Sequence, residues 1–157
     1  MKKEVVSIYV DNKANVLTRV VSLYGRRGFN IDSLTVSVTN DPAISRITIV
    51  FEGDHLTLNQ IVAQTEKLEV VRSIKTLGSS ESFFRELLMV KVAADKNVRS
   101  EIKEIVDIYR AKIINLTQSE MVLELTGSPE KLNAFLAMLG GYNIIDICRT
   151  GVTGIEK

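Results

Sequence analysis

The order strand, helix, strand, strand, helix, strand is written twice in this chain, and that repeat limits the folds open to it more than any single residue. Val5 to Val10 is apolar and β-branched, and Val16 to Arg27 places Val16, Leu17, Val20, Val21 and Tyr24 on one helical face. Gly28 follows Arg26 and Arg27, the pattern of a helix that ends in a left-handed residue with cations in its last turn. From Leu34 the residues alternate, Leu34, Val36 and Val38 against Thr35, Ser37 and Thr39. Ile47, Ile49 and Phe51 alternate again beyond Asn40-Asp41-Pro42, so the two strands form a hairpin. Thr57 with Gln60 predicts a capping box for a second helix bearing Leu58, Ile61, Val62 and Leu68, and Val70 to Leu77 closes the unit as a strand.

Gly78, Ser79, Ser80, Glu81 and Ser82 then interrupt the periodicity with the composition of a short linker. Beyond them Leu87 to Ala93 reads as a strand, and Val98, Ile102, Ile105, Val106 and Tyr109 share a helical face. Ile113 to Thr117 and Met121 to Thr126 are strands, Ser128-Pro129-Glu130 opens a helix through Leu139, and Tyr142 to Arg149 is the last strand. The predicted fold class is α+β, two tandem ferredoxin-like βαββαβ domains at residues 1–78 and 84–157, joined by a linker at 79–83. Domains of this size bury only ~60% or slightly more of their surface. Together with Val5, Tyr9 and Val50 on the outer face of the first sheet, that predicts oligomerisation, at least to a dimer.

Charge removes several function classes. Twenty Lys and Arg stand against nineteen Asp and Glu, divided 10 to 8 through Gly78 and 10 to 11 after it. Neither half offers the basic footprint expected of a nucleic-acid or anionic-membrane binder. No apolar run reaches the ~20 residues of a membrane span, and the polar break early in MKKEVVSIYVDNKANV does not suit a signal peptide, so a cytoplasmic location is expected. The lone Cys148 has no partner for a disulfide and no Cys or His neighbours for a zinc site, and reads as a small buried hydrophobe.

Catalytic readings find little support. An acylphosphatase-like enzyme would need an arginine after the first strand, where the chain has Asp11-Asn12-Lys13-Ala14-Asn15. An RNA-recognition sheet would present aromatic rings, where the third strand offers Arg46, Thr48 and Val50. His55 has no second ligand or partner and reads as a solvated turn residue. Glu101, Glu104 and Asp107 fall on the polar side of a helix whose apolar face is already assigned, and Arg26 and Arg27 read as helix-end charges. The loop before the first helix remains. Either Asn12 or Asn15 caps the helix, or the free N–H groups at Asn15, Val16 and Leu17 receive a small carboxylate with help from the helix dipole.

Residues 12–51, NKANVLTRVVSLYGRRGFNIDSLTVSVTNDPAISRITIVF, closely resemble the amino-terminal ACT domain of the regulatory (small) subunits of acetolactate synthase, also called acetohydroxyacid synthase. The resemblance extends through MVKV, Arg110 to Leu116 and the terminal RTGVTG. It implies a non-catalytic subunit that binds and activates a catalytic subunit carrying thiamine diphosphate, magnesium and FAD. It further implies feedback inhibition by valine or a related branched-chain amino acid. In that family the effector lies at an ACT dimer interface, which carries over here to Asn12, Asn15, Val16 and Leu17 of one subunit and Asn30 and Ile31 of the other. Backbone amides at Val16 and Leu17 would take the effector carboxylate, Asn12 and the second copy's Asn30 would offer carbonyl oxygens to its ammonium, and Leu17 and Ile31 would meet its side chain. The family usually has glycine where this chain has Asn15, and asparagine enters the left-handed region more readily than most residues, so the turn is expected to persist. The alternative is a free-standing tandem ACT sensor of amino acids without an enzyme partner. An independent small enzyme ranks behind both, since neither repeat supplies a nucleophile with a base.

Overall fold

In the computed structural model, which describes residues 2–157, the chain forms two units, one running to Phe83 and taking in Val152–Lys157, the other Phe84–Gly151. The first unit contains β1 (Lys2–Asp11), α1 (Val16–Arg26), β2 (Ile31–Val38), β3 (Ile44–Gly53), α2 (His55–Thr65) and β4 (Val71–Thr76). Its strands lie in the order β2-β3-β1-β4, each pair antiparallel. Alternation along β1 and β3 sends Val6, Ile8, Val10, Ile47, Ile49 and Phe51 to one face, where Val16, Val20 and Tyr24 of α1 and Leu58 and Ile61 of α2 cover them. Gly28, with φ of 74°, follows the last residues of α1 in the left-handed conformation that its place after two arginines predicts.

Tyr24 meets Phe51 edge to face, with centroids 5.8 Å apart and planes at 73°. Its hydroxyl is buried without a hydrogen-bond partner, while the Thr65 hydroxyl donates to Ile61 O at 2.7 Å. Burial pushes the phenol up to about 12, with the nearby Thr65 hydroxyl offsetting a smaller part. The unfolded chain therefore loses this proton first, so the associated stability is full below pH ~10 and is lost as pH rises toward the folded value. Tyr24→Phe should flatten that alkaline decline and leave the protein equally or up to ~1 kcal/mol more stable at pH 7, because the buried hydroxyl has no partner to lose. Thermal melts across pH 7 to 11.5 measure both.

The second unit repeats the order with β5 (Ser82–Ala93), α3 (Arg99–Tyr109), β6 (Lys112–Leu116), β7 (Glu120–Gly127), α4 (Pro129–Leu139) and β8 (Ile144–Arg149). Its sheet runs β6-β7-β5-β8, and Leu88, Val90, Val92, Met121, Leu123 and Leu125 pack beneath Ile102, Val106, Leu132, Phe135 and Leu139. Two ferredoxin-like sandwiches are thus present. At its start, Ser128 Oγ accepts from Lys131 N–H at 3.3 Å and Pro129 follows at the first helical position, as the sequence predicts for α4.

Several expectations need correction. The second helix begins before Thr57: Asp54 is its cap and accepts from Thr57 N–H at 2.7 Å, so His55 is a helical residue and not a turn residue. The Thr57 hydroxyl and N–H hold the Asp54 carboxyl below its ordinary range. Cys148 is exposed. It pairs with Met89 across β5 and β8, and Leu88 and Val90 on either side of Met89 face the core, so Cys148 falls on the opposite side of the sheet.

Residues 152–157, which the sequence reading keeps with the second domain, make contacts that it does not foresee. They contain a further strand, β9 (Thr153–Glu156), which pairs with β5 and belongs to the first unit. The segment crosses the outer face of the first sheet. Val152 N–H donates to Ser33 Oγ at 3.2 Å and Val152 O accepts from Thr35 Oγ1 at 3.2 Å, both on β2. Gly154 O accepts from Arg46 Nη2 at 2.6 Å on β3, and Glu156 accepts from Lys75 Nζ at 2.9 Å on β4. Four residue steps of extended chain cover about 13 Å, close to the width of a four-stranded sheet at ~4.8 Å per strand. Val5, Ser7, Thr48 and Val50 on this face are accordingly buried. The apolar outer face that argued for oligomerisation is covered by the chain's own end.

Candidate functional site

Asn15 stands at the entry to α1 with φ of 67° and ψ of −1°, the left-handed conformation that glycine favours. Its side chain makes no capping bond, and the first turn of α1 holds no acidic residue. The first bond into the helix runs from Arg19 N–H to Asn15 O at 3.1 Å, so the preceding N–H groups of the first turn point out of the helix end. Asn12 is held elsewhere: its Nδ2 donates to Pro42 O at 2.9 Å and its N–H donates to Ala43 O at 2.8 Å. Neither asparagine caps the helix among the described residues, and the simple capping reading does not hold. The N-terminus of α1 is open, and helix dipole and orphan N–H groups together favour an anion there.

The loop ahead of α3 in the second repeat is built differently, although among the described residues no side chain caps that helix either. Asp95 Oδ1 accepts from Asn97 N–H at 2.8 Å and Val98 N–H at 3.3 Å, supplying the chain's own carboxylate ahead of α3. Arg99 Nη2 spans to the carbonyls of Ala94, Thr117 and Gln118 at 3.3, 3.0 and 2.9 Å and braces the same loop. A cleft of about 450 Å³ there is lined by Asp95, Lys96, Asn97, Arg99 and Gln118.

Asn30 and Ile31 lie at the other end of α1. Asn30 Nδ2 donates to Asp32 Oδ1 at 3.3 Å, and Asp32 also pairs with Lys3 at 3.0 Å. In both Asn12 and Asn30, therefore, an intrachain acceptor takes the amide nitrogen and the carbonyl oxygen is left for another donor. Within one chain these groups are not brought together: α1 has 11 residues, a span of about 16 Å at 1.5 Å per residue. A site using Asn12 to Leu17 and Asn30 with Ile31 requires two copies arranged head to tail.

β2 is one edge strand of the first sheet. Val36 and Val38 on it are 45% and 56% exposed, and Leu17 on α1 is 38% exposed. An open edge with apolar residues is an available pairing surface. Elsewhere the acidic face of α3 is solvated, with Glu101 accepting from Tyr142 Oη and Asp107 paired to Lys103. Among the described residues no group of three His, Cys, Asp or Glu is placed to hold a metal.

Comparison with known proteins finds relatives along nearly the whole chain. The family described as "AHAS small subunit-like ACT domain" matches residues 6–73, and "Small subunit of acetolactate synthase" matches residues 85–157. The isozyme 3 small subunit of acetolactate synthase from Salmonella typhimurium is 38% identical over 99% of this chain and 96% of its own. A probable acetolactate synthase small subunit from Archaeoglobus fulgidus is 40% identical over 99% of this chain and 97% of its own. The crystal structure of the acetolactate synthase small subunit from Thermotoga maritima superposes with a TM-score of 0.90 at 34% identity, covering 100% of this chain and 98% of that one. With both halves matched and full-length relatives well above 30% identity, the chain belongs to the acetolactate synthase small subunits, the regulatory and non-catalytic subunits of that enzyme.

Proposed function

We propose that this chain binds the thiamine diphosphate-dependent catalytic subunit of acetolactate synthase, raises its activity, and makes it sensitive to feedback inhibition by valine or a related branched-chain amino acid. The effector sits between two copies of the first unit, in the cytoplasm, with thiamine diphosphate, magnesium and FAD held by the catalytic subunit. The observation that carries this reading is the uncapped N-terminus of α1 beside Asn12, whose carbonyl oxygen is left unengaged while its amide nitrogen is tied to Pro42 O. A zwitterion fits that pair: carboxylate to the N–H groups, ammonium to the carbonyl oxygens of Asn12 and the second copy's Asn30. The open β2 edge and exposed Leu17 support pairing of two copies there.

Burying a branched side chain contributes only ~1.5–3 kcal/mol, whereas micromolar binding needs ~8, so polar capture carries much of the affinity. Calorimetric titration with valine, leucine and isoleucine should show one of them binding, and Asn30→Ala should weaken that binding about tenfold through the lost acceptor to a charged donor. Unchanged affinity removes Asn30 from the site. Mixing the purified chain with its catalytic subunit should raise the rate of acetolactate formation, and no change in rate contradicts the activating role. Failure of the two chains to co-purify, with effector binding intact, favours a free-standing amino-acid sensor.

A further inference from the structure

Two carboxamides belong to the candidate site, and each has its nitrogen tied to a group that can only accept. Asn12 Nδ2 donates to Pro42 O at 2.9 Å. Asn12 N–H donates to Ala43 O at 2.8 Å, and Ala43 N–H donates to Asp41 Oδ1 at 2.9 Å, so the acceptor is itself held in the turn between β2 and β3. Asn30 Nδ2 donates to Asp32 Oδ1 at 3.3 Å, and the other oxygen of that carboxylate pairs with Lys3 Nζ at 3.0 Å. Asp32 stands where the pairing of β2 with β3 shifts register, between Ile31 and Ser33. An extra residue at such a shift bends the strand and re-aims its side chain, which here reaches back to Asn30.

A carboxamide turned end for end exchanges an oxygen for an NH2 group, and in mixed surroundings either orientation finds partners. Here the chemistry of the partners allows only one. A flipped Asn12 would set its oxygen against the Pro42 carbonyl, and a flipped Asn30 would set its oxygen against the Asp32 carboxylate. Neither contact has a proton to share. Both side chains are therefore confined to the orientation in which the free end is an acceptor. An α-ammonium group brings donors to such a position, whereas an α-oxo group brings another acceptor, with the carboxylate and branched side chain unchanged between the two ligands. A site of fixed hydrogen-bonding polarity rejects the mismatched analogue strongly, because its polar groups are then left unpaired.

Resting on the effector reading above, we propose that Asp32 is a positioning residue of the effector site. Its carboxylate, together with the Pro42 carbonyl that holds Asn12, makes the site distinguish a branched-chain α-amino acid from the α-oxo acid of the same side chain. The test is calorimetric titration of the full chain with valine, leucine and isoleucine, and with the α-oxo acid of whichever binds most tightly. The wild-type chain should prefer the amino acid by about 100-fold or more. Asp32→Asn sets a group that can donate beside Asn30, and this frees Asn30 to turn its NH2 group outward. The amino acid should then bind about fivefold to tenfold more weakly, the oxo acid no more weakly, and the preference should fall about tenfold. Exchanging the two residues, Asn30→Asp with Asp32→Asn, again leaves only an acceptor facing the ligand and should restore the preference, a rescue that a merely structural role for Asp32 does not predict. Lys3→Met, which leaves the carboxylate in place, should keep the preference within about threefold of wild type, well inside the change expected of Asp32→Asn. Thermal melts establish that each variant is folded; should Asp32→Asn fail to fold, Asp32→Ser, whose hydroxyl also donates or accepts, makes the same comparison. A wild-type chain that binds both acids alike, an unchanged preference in the folded Asp32 variant, or an exchange that restores nothing overturns the proposal and leaves the effector reading standing. Absence of valine, leucine and isoleucine binding to the wild-type chain overturns the effector reading and this proposal with it.

Discussion

Arg149→Met should lower stability by about 2–3 kcal/mol, the cost of leaving a buried carboxylate without its partner, reduced because the Arg149 side chain is itself 29% exposed. Arg149 Nη2 pairs with Glu86, whose side chain is 5% exposed, and Nη1 donates to Asn133 Oδ1 at 2.8 Å. Methionine reproduces much of the arginine stem but leaves the Glu86 carboxylate inside the second unit without its cation. The effect is one of stranded charge more than of lost attraction. Glu86→Leu combined with Arg149→Met should therefore recover most of the loss, because an apolar pair of similar volume replaces both charges. Urea unfolding of the wild type, the single variant and the double variant measures it. A single variant within about 1 kcal/mol of wild type would show that Glu86 finds another partner or water.

The second large effect concerns binding and has the opposite sign for stability. Leu17→Asp should weaken valine binding by about 100-fold, or ~2.8 kcal/mol, while leaving the fold as stable as wild type or ~0.3–1 kcal/mol more stable. A carboxylate in the first turn of α1 complements the helix dipole and can serve the N–H groups that are open in the native chain. By the same act it occupies the place proposed for the effector carboxylate. The 38% exposure of Leu17 means that little packing is lost within one chain. Calorimetry and a thermal melt on the same preparation separate the two effects. Undiminished binding with raised stability would place the effector away from this helix end.

Much of the fold was legible because it depends on local rules. Period-two alternation in Leu34, Val36 and Val38 and in Ile47, Ile49 and Phe51 places β2 and β3, and the Gly28 stop and the Ser128-Pro129 start survive in the structure with their expected geometry. The start of α2 was misplaced because two signals compete within four residues. Thr57 with Gln60 imitates a capping box, but Asp54, three residues earlier, has a carboxylate that reaches Thr57 N–H and outcompetes a hydroxyl for the role. Cys148 was assigned to the core by residue type, whereas its pairing with Met89 puts it on the other face. The direction in which an edge-strand residue points is set by register, and register belongs to the pair of strands.

The candidate site divides along the same line. Asn15 in the left-handed region was foreseeable from its chemistry and its place before a helix. That Asn12 spends its amide on the β2–β3 turn, and that Arg99 reaches the carbonyls of Thr117 and Gln118 in the other repeat, depends on which loops meet in space. The terminal strap was the least legible element. Val152 to Lys157 is short, contains a glycine in its middle, and carries no periodicity long enough to mark a strand. Its partners, Ser33, Thr35, Arg46 and Lys75, lie 81 to 119 residues away.

By itself the sequence determined the two βαββαβ units and the kinship of the chain, since both follow from patterns written within a few tens of residues. Only the tertiary structure decided that Asn12 is tied to the β2–β3 turn and that the chain's last residues cover the first sheet. Those outcomes depend on hydrogen-bond donors and acceptors finding each other across the fold, and a partner distant in sequence leaves no local trace.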